Sequence, residues 1–246
     1  GLNVAYDPFM SVAYNDLAGG FVVISADDPG PHSSQTEQDS RFAAMMAKVP
    51  VFDPSSPQEA KKMVKFAFDF SEKYAILVMV RPGLRVCHAR QNVEVEKIPS
   101  NFRSGKFVKD AERWVCLPAI RRKHHEKLNE KVKSIAKERD PFTKLENYRK
   151  SSLGVIASGV SYAIVKDMFD RYSIDLPLLK VGRVFPLDGE ALSEFLSLCD
   201  EVIVFEETYP VIEMQLPDKH RVLGKWNGEV PSAGELTPEV IMGVLS

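Results

Sequence analysis

A dense run of polar side chains between Ala26 and Arg41 holds residue types that could bind or transform a small polar ligand. A protein core cannot accept so many polar groups unpaired, so the run must lie at a surface or line a site. The sequence Asp-Pro-Gly-Pro within it is typical of a tight bend, and an ordinary solvated loop therefore stays open as an alternative. If the run lines a ligand site instead, the candidate lining residues are Asp27, Asp28, His32, Ser33, Ser34, Gln35, Glu37 and Gln38.

Arg85 and His88 form a second group of candidates, because they follow another predicted strand of the same half of the chain. We predict that they line the same site, where the cation of Arg85 would meet an anionic group of a ligand. For His88 the alternative is a half-buried imidazole with satisfied hydrogen bonds.

Two further groups of candidate residues lie in the second half of the chain. Gly159, Ser161 and Tyr162 stand where a predicted strand turns into a helix, and free backbone N–H groups at such a turn can bind an anion such as a phosphate. Any strand–helix turn offers these groups, so the pattern is not specific. Glu206 and Glu207 end another predicted strand, where they would pair with cations across an interface or stay solvated.

Composition argues against metal and nucleic-acid sites. The spacing of Cys87, Cys116 and Cys199 fits no disulfide framework and no zinc or iron–sulfur motif, and we predict no metal site. The net charge is -2, which offers no field that would attract nucleic acid or an anionic membrane. Residues 101–150 carry 15 Lys+Arg and 7 Asp+Glu, a local +8. A nucleic-acid-binding segment there is the weakest hypothesis, since the rest of the chain carries -10.

The hydrophobic patterns that must position these residues indicate an α/β fold. Apolar runs at 21–26, 49–52 and 75–80 alternate with helices, and further runs lie at 153–158, 178–181 and 202–205. Such alternation predicts doubly wound, mostly parallel sheets with continuously buried strands. Ligands of such sheets bind beyond the carboxyl ends of the strands, where the polar run begins.

Helix signals are clear in four places. Asp7-Pro8 predicts a short N-capped helix through Tyr14, and Thr237-Pro238 predicts another at the end of the chain. Ser56, Pro57 and Glu59 predict a capping box. The apolar stripe expected on the capped helix consists of Ala60, Met63, Val64, Ala67 and Phe68, and the stripe of a helix in the basic segment consists of Leu128, Val132, Ile135 and Ala136.

The polar run also resembles a family sequence. From Ala26 to Arg41 it fills every named position of A-D-D-P-x-x-H-S-S-Q-x-E-Q-D-x-R, a loop of the large subunit of indolepyruvate ferredoxin oxidoreductases. The resemblance covers essentially the whole chain. It continues in Gly1-Leu-Asn-Val-Ala-Tyr-Asp-Pro8, Pro50–Ala60, Arg85-Val-Cys-His88, Gly154–Tyr162 and Gly234-Glu-Leu-Thr-Pro238. Gly83-Leu84 stands where the family usually has Thr-Thr, which puts the geometry around Arg85 in question.

The resemblance implies a domain division and a chemistry. Residues 1–100 would be the C-terminal part of a pyrimidine-binding domain, 101–150 a basic and partly helical connection, and 151–246 a transketolase-C-terminal-like domain. The family uses thiamine diphosphate with Mg²⁺ to decarboxylate an arylpyruvate oxidatively, passes electrons through iron–sulfur clusters to ferredoxin, and forms an acyl-coenzyme A. The activating Glu, the Gly-Asp-Gly element and the cysteine-rich segment of the family are absent, so no catalytic residue is identifiable and this chain alone should be inactive.

Two hypotheses follow from this resemblance. The chain is either a fragment or split subunit that completes a thiamine site with the remaining segments or subunits, as a homo- or hetero-oligomer, or a non-catalytic assembly module derived from the family. A chain that opens on Gly-Leu-Asn without Met suggests a fragment, a processed product or a missing beginning. The absence of a long apolar run and of a signal-peptide pattern, together with the cysteine usage, predicts a cytoplasmic protein without a membrane segment.

Overall fold

The computed structural model describes residues 1–97 and 105–245, and two mixed sheets carry the fold within them. The predicted α/β class is confirmed. In chain order the strands are β1 Val22–Ile24, β2 Val51–Phe52, β3 Val78–Val80, β4 Lys144–Glu146, β5 Ser151–Ser158, β6 Leu178–Val181, β7 Arg183–Phe185, β8 Cys199–Phe205 and β9 Val222–Leu223. The helices are α1 Tyr6–Ala13, α2 Arg41–Ala47, α3 Pro57–Tyr74, α4 Leu84–His88, α5 Ala111–Trp114, α6 Pro118–Ala136, α7 Gly159–Tyr172, α8 Gly189–Leu196, α9 Val211–Gln215 and α10 Pro238–Leu245.

The first sheet has the strand order β1-β3-β2-β7. Strands β1, β3 and β2 are parallel, so their carboxyl ends meet at one edge, whereas β7 is antiparallel to β2. The prediction that the first strand is buried on both faces is wrong. Strand β1 lies at the edge of the sheet, and Ile24 is 60% exposed. An edge strand lacks a neighbour on one side, which local sequence does not record.

The second sheet has the strand order β4-β6-β5-β8-β9. Strands β6, β5, β8 and β9 are parallel, and β4 pairs antiparallel with β6. The predicted strand at 178–181 coincides with β6. The strand expected at 202–205 begins earlier, at Cys199.

The capped helix shows how local sequence sets these elements. Ser56 accepts a hydrogen bond from the backbone N–H of Glu59 at 3.2 Å, which confirms the predicted N-cap of α3. The carboxylate of Glu59 accepts from Ser55 instead of returning to Ser56, so the reciprocal half of the capping box is displaced by one residue. Phe68 is 46% exposed, whereas Phe70 is buried, so the predicted stripe is wrong at its end.

Other helix boundaries differ from the predictions by a few residues. Helix α1 begins at Tyr6, so Asp7 lies in its first turn and is not its N-cap. In the basic segment α6 buries Leu128 and Ile135 of the predicted stripe, together with His124. Helix α10 begins at Pro238 as expected.

One sheet and one apolar core contain residues from both halves of the chain. Strand β7 comes from the second half but pairs with β2 of the first, and one apolar core joins residues of both halves, including Val51 and Val204. The predicted boundary near residue 100 lies outside the described residues. The division into 1–100, 101–150 and 151–246 therefore stays a prediction.

Helix composition bears on membrane insertion. Among residues 1–97 and 105–245, no helix combines the length and the hydropathy that a membrane crossing requires.

Candidate functional site

The carboxyl ends of both sheets meet in a buried network of carboxylates and arginines. Asp53 and Arg81 directly follow β2 and β3, and Asp27 follows β1 by three residues. Arg81 donates from Nε to Asp27 Oδ2 at 2.7 Å, and its Nη1 lies 3.6 Å from Asp53 Oδ2. Ser158, the last residue of β5, donates to Asp53 Oδ2 at 3.1 Å. The network thus connects the carboxyl edges of the two sheets, the edges at which ligands of parallel sheets usually bind.

Arg41 extends this network to the end of β8. Its side chain is fully buried and donates from Nη1 to Glu206 Oε2 at 2.9 Å and from Nη2 to Asp39 Oδ2 at 2.7 Å. Nη2 also donates to the carbonyl of Tyr209 at 2.8 Å. Since Asp39 and Arg41 end the polar run, these bonds attach its C-terminal end to the second sheet.

The acids of the network differ in how well they are compensated. Burial alone would raise the pKa of Asp39, but Arg41, Arg81 and the N–H of Tyr209 outweigh it and hold that pKa well below its ordinary value. Burial raises the pKa of Glu206 to about 7, because Arg41 and two backbone N–H groups offset it only in part. Burial also raises the pKa of Asp53 and of Glu207.

The first part of the polar run is organised around Asp28. Its Oδ2 accepts backbone N–H bonds from His32 at 3.1 Å, Ser33 at 2.8 Å and Ser34 at 2.9 Å. The hydroxyl of Ser34 donates to the same oxygen at 2.9 Å. These bonds lower the pKa of Asp28, the largest effect coming from Ser33. These bonds therefore hold the shape of the loop and occupy the carboxylate of Asp28 and the hydroxyl of Ser34, whereas Ser33 is exposed.

Other residues of the run bind the chain or face solvent. Asp27 is buried and accepts from the N–H of Ser40 at 2.7 Å as well as from Arg81, and Gln38 donates to Thr36 Oγ1 at 2.6 Å. Gln35 is exposed. Glu37 Oε1 accepts from the N–H of Gly234 at 2.7 Å, which ties the loop to the segment before α10.

An exposed cluster of charges lies beside the loop. Arg85 on α4 is bidentate to Glu235, with Nε to Oε1 at 2.7 Å and Nη2 to Oε2 at 2.6 Å. The same Oε2 lies 3.0 Å from Nε2 of His32. The structure therefore brings together Arg85 and His32, two predicted site residues, around a carboxylate that sequence reasoning did not select. His88 is exposed at the end of α4, so the half-buried alternative for it is wrong.

The candidates of the second half lie close to the buried network. An added Cβ at Gly159 would meet Asp53 Oδ1 at 2.8 Å, so the N-terminus of α7 already faces an internal carboxylate. Ser161 is buried near it, whereas the hydroxyl of Tyr162 points to Glu146 at 2.5 Å. Glu206 and Glu207 are both buried, and Glu207 accepts from the N–H of Leu236 at 2.6 Å, so neither is a solvated acid.

Some buried polar atoms of these residues have no hydrogen-bond partner within the part of the chain that the structure describes. They are Asp28 Oδ1, Asp53 Oδ1, Arg81 Nη2, Ser161 Oγ and Thr208 Oγ1. Buried polar groups are nearly always paired in folded proteins. The junction between the sheets therefore offers donors and acceptors beyond those that the described residues satisfy.

The acidic side chains do not form a metal site of the usual kind. Across residues 1–97 and 105–245, no group of three or more His, Cys, Asp or Glu side chains is arranged to hold a metal ion. The three cysteines are free, and Cys199 is buried.

Sequence reasoning missed Asp53, Arg81, Arg41 and Glu235 as members of these clusters. A signal existed for Asp53 and Arg81, because both stand directly after predicted strands of the sheet whose carboxyl edge was expected to carry the site. No comparable signal marks Glu235, which lies in a loop far along the chain from Arg85.

Comparison with known proteins gives a consistent result. No family model matches the chain. It is 42% identical over 224 residues to the indolepyruvate oxidoreductase subunit IorA of Pyrococcus abyssi, which covers 88% of this chain and 35% of that subunit. It is 38% identical to the IorA subunit of Methanothermobacter thermautotrophicus, across 100% of this chain and 41% of that subunit.

The fold has a counterpart among solved structures. A 2-oxoglutarate:ferredoxin oxidoreductase from Magnetococcus marinus, solved with 2-oxoglutarate, coenzyme A and succinyl-CoA bound, superimposes with a TM-score of 0.68 over 96% of this chain and 50% of that one. The two sequences are 14% identical, so this likeness concerns the fold alone. From the sequence matches, the chain belongs to the family of indolepyruvate oxidoreductase subunits IorA, and it spans between 35% and 41% of the length of the relatives named above.

Proposed function

We propose that this chain forms one part of a thiamine-diphosphate-dependent 2-oxoacid oxidoreductase that acts on arylpyruvates. The oxidative decarboxylation would yield an acyl-coenzyme A and pass electrons through iron–sulfur clusters to ferredoxin. The observation that carries the proposal is the identity of about two fifths with IorA subunits along the chain, in a fold whose polar loop lies at the carboxyl edge of a parallel sheet.

The loop is suited to a lining role because its shape is held by internal bonds. Asp28 holds the backbone of residues 32–34, and Arg41 fixes the far end of the run to Glu206. Gln35 is exposed on the surface of the loop, whereas His32 and Arg85 both contact Glu235. A preorganised loop binds a ligand without the entropic cost of ordering it.

The described residues do not fit the metal and diphosphate half of the cofactor. No acidic cluster arranged for Mg²⁺ occurs in residues 1–97 or 105–245, and the N-terminus of α7 faces Asp53. We therefore assign thiamine diphosphate, Mg²⁺ and the iron–sulfur clusters to the remaining segments or subunits of the assembly. Thiamine diphosphate supplies the nucleophile for decarboxylation in this proposal, and this chain supplies polar side chains at the edge of the site.

Partners and location follow from the same proposal. The relatives are named as subunits, which supports an oligomer containing further chains. Ferredoxin, coenzyme A and the 2-oxoacid would meet this chain only in that assembly. The three free cysteines agree with a cytoplasmic location.

A non-catalytic assembly module remains the alternative function. The observation that favours it is that Ser34 and Asp28 use their polar groups in a hydrogen bond within the loop.

The test is turnover by the assembly isolated through a tag on this chain. We expect CoA-dependent reduction of ferredoxin with indolepyruvate or phenylpyruvate, and lower kcat/KM with 2-oxoglutarate. Gln35→Ala should lower kcat/KM for the aryl substrate by about tenfold to a hundredfold, because the lost amide helps to orient the ligand.

The matched control is Gln91→Ala, an exposed amide outside the loop, which should leave kcat/KM unchanged. An assembly that contains all its segments but reduces no ferredoxin with any of the three oxoacids would support the assembly module. Equal effects of Gln35→Ala and Gln91→Ala would remove the loop from the site.

A further inference from the structure

Glu235 is the centre of the exposed charge cluster between the two halves of the chain. The side chain of Glu235 is 11% exposed, whereas those of Arg85 and His32 are 56% and 47% exposed. The guanidinium of Arg85 and the imidazole of His32 thus contact, from the surface, an acid that is largely buried beneath them. Arg85 uses two parallel hydrogen bonds, the geometry by which a guanidinium recognises a carboxylate.

The backbone on both sides of Glu235 is hydrogen-bonded to carboxylates, one in the polar loop and one in the segment after β8. Gly234 donates its N–H to Glu37 at 2.7 Å, and Leu236 donates to Glu207 at 2.6 Å. Gly30 has a positive φ of 64°, and an added Cβ there would lie 3.2 Å from the backbone nitrogen of Glu235. The polar loop therefore packs directly against Glu235, the residue that contacts both Arg85 and His32.

Arg85 and His32 converge on one point from different elements. Arg85 comes from α4, after β3, and His32 comes from the loop after β1. Both come after the carboxyl ends of parallel strands, where ligands of such sheets bind. An arginine and an imidazole that converge on one carboxylate form a receptor for an anion, and the anion they hold is part of the chain.

We propose that Glu235 is an internal competitor that masks a carboxylate receptor formed by Arg85 and His32, and that a 2-oxoacid carboxylate binds there by displacing it. The choice of a 2-oxoacid rests on the proposed function, whereas the masking rests on the contacts alone. Glu235 is then a positioning residue. It holds the side chains of Arg85 and His32 in place and lowers the apparent affinity of the receptor by the fraction of molecules in which it is bound.

The test is binding to the 246-residue chain itself, with phenylpyruvate, acetate and inorganic phosphate as separate probes at constant ionic strength. Titration is followed calorimetrically and through the Arg85 Nε–H signal in NMR spectra. We expect Glu235→Gln to tighten phenylpyruvate binding by about tenfold, because the competing charge is removed. Arg85→Gln should abolish binding of the same probe.

Controls separate the masking from general charge effects and from misfolding. Glu229→Gln removes one negative charge from the same exposed segment and should leave the affinity unchanged. The variants should keep the circular dichroism spectrum of the parent, and the Arg85 signal should move on titration in the parent as well as in Glu235→Gln.

Three outcomes overturn the masking: an unchanged affinity in Glu235→Gln, a weaker affinity in it, or no binding of any probe to any variant. Tightening of acetate and phenylpyruvate by the same factor, with equal affinities for both, would support the masking and contradict the 2-oxoacid assignment. Stronger tightening for phosphate than for either carboxylate would overturn the carboxylate receptor.

Discussion

Two arginine–carboxylate clusters join the halves of this molecule, and they differ in burial. Arg41 is completely buried between Asp39 and Glu206, whereas Arg85 is more than half exposed above Glu235. A buried arginine cannot be released from its acids without leaving unpaired charges in a medium of low polarity. An exposed one exchanges its partner for water or for another anion at small cost. The first cluster is therefore suited to hold the fold, and the second to respond to a ligand.

The largest loss of stability is expected when Arg41 of the buried cluster is replaced. Arg41→Met should lower the free energy of unfolding by about 3–5 kcal/mol, because Asp39 and Glu206 would remain buried without their cation. Urea denaturation measures the change. Arg122→Met is the matched control, since Arg122 is 84% exposed, and it should change the stability by less than about 1 kcal/mol. A similar small loss in both variants would contradict a structural role for the buried cluster.

The pH dependence of stability should be set in part by Glu206. Its folded pKa of about 7 lies above the ordinary value of 4.5, so its contribution is fully present below pH 4.5 and is lost as the pH rises through 7. Glu206→Gln should therefore flatten the unfolding free energy between pH 4.5 and 8, by up to about 3 kcal/mol.

The measurement for Glu206 is a series of urea denaturations across that pH range, with exposed Glu201→Gln as control. Asp28 and Asp39 have lowered pKa values, so their contributions are present above pH 3.8 and are lost as the pH falls below it. This loss of stability below pH 3.8 should persist in Glu206→Gln. An unchanged slope between pH 4.5 and 8 would show that Glu206 stays ionised there.

The smallest effect on stability is expected in the exposed cluster. Glu235→Ala should change the free energy of unfolding by less than about 1 kcal/mol, because Arg85 and His32 can be solvated in its place. Thermal unfolding at low and high salt measures it, and the difference should shrink as salt screens the pairs. A loss above about 2 kcal/mol, insensitive to salt, would make this cluster structural and remove the contrast with Arg41.

Local sequence patterns were enough to predict the fold class, several elements and the position of the polar loop. The periodicity of apolar residues and the signals of helix caps are local properties. They identified β6, the N-cap at Ser56 and the helix at Pro238. The loop could be placed at the edge of a sheet because it directly follows an apolar run. The resemblance of that loop to one family agrees with the IorA relatives.

The contacts between side chains that are distant in sequence became visible only in the folded chain. Arg41 and Glu206 are 165 residues apart, and Arg85 and Glu235 are 150 apart. Strand β7 crosses into the first sheet, and β1 became a partly exposed edge, although its sequence is typical of a central strand. Local sequence encodes period and capping, whereas these contacts arise because two sheets pack with their carboxyl edges facing one another. That packing made Glu235, a residue without any local signal, the partner of both Arg85 and His32.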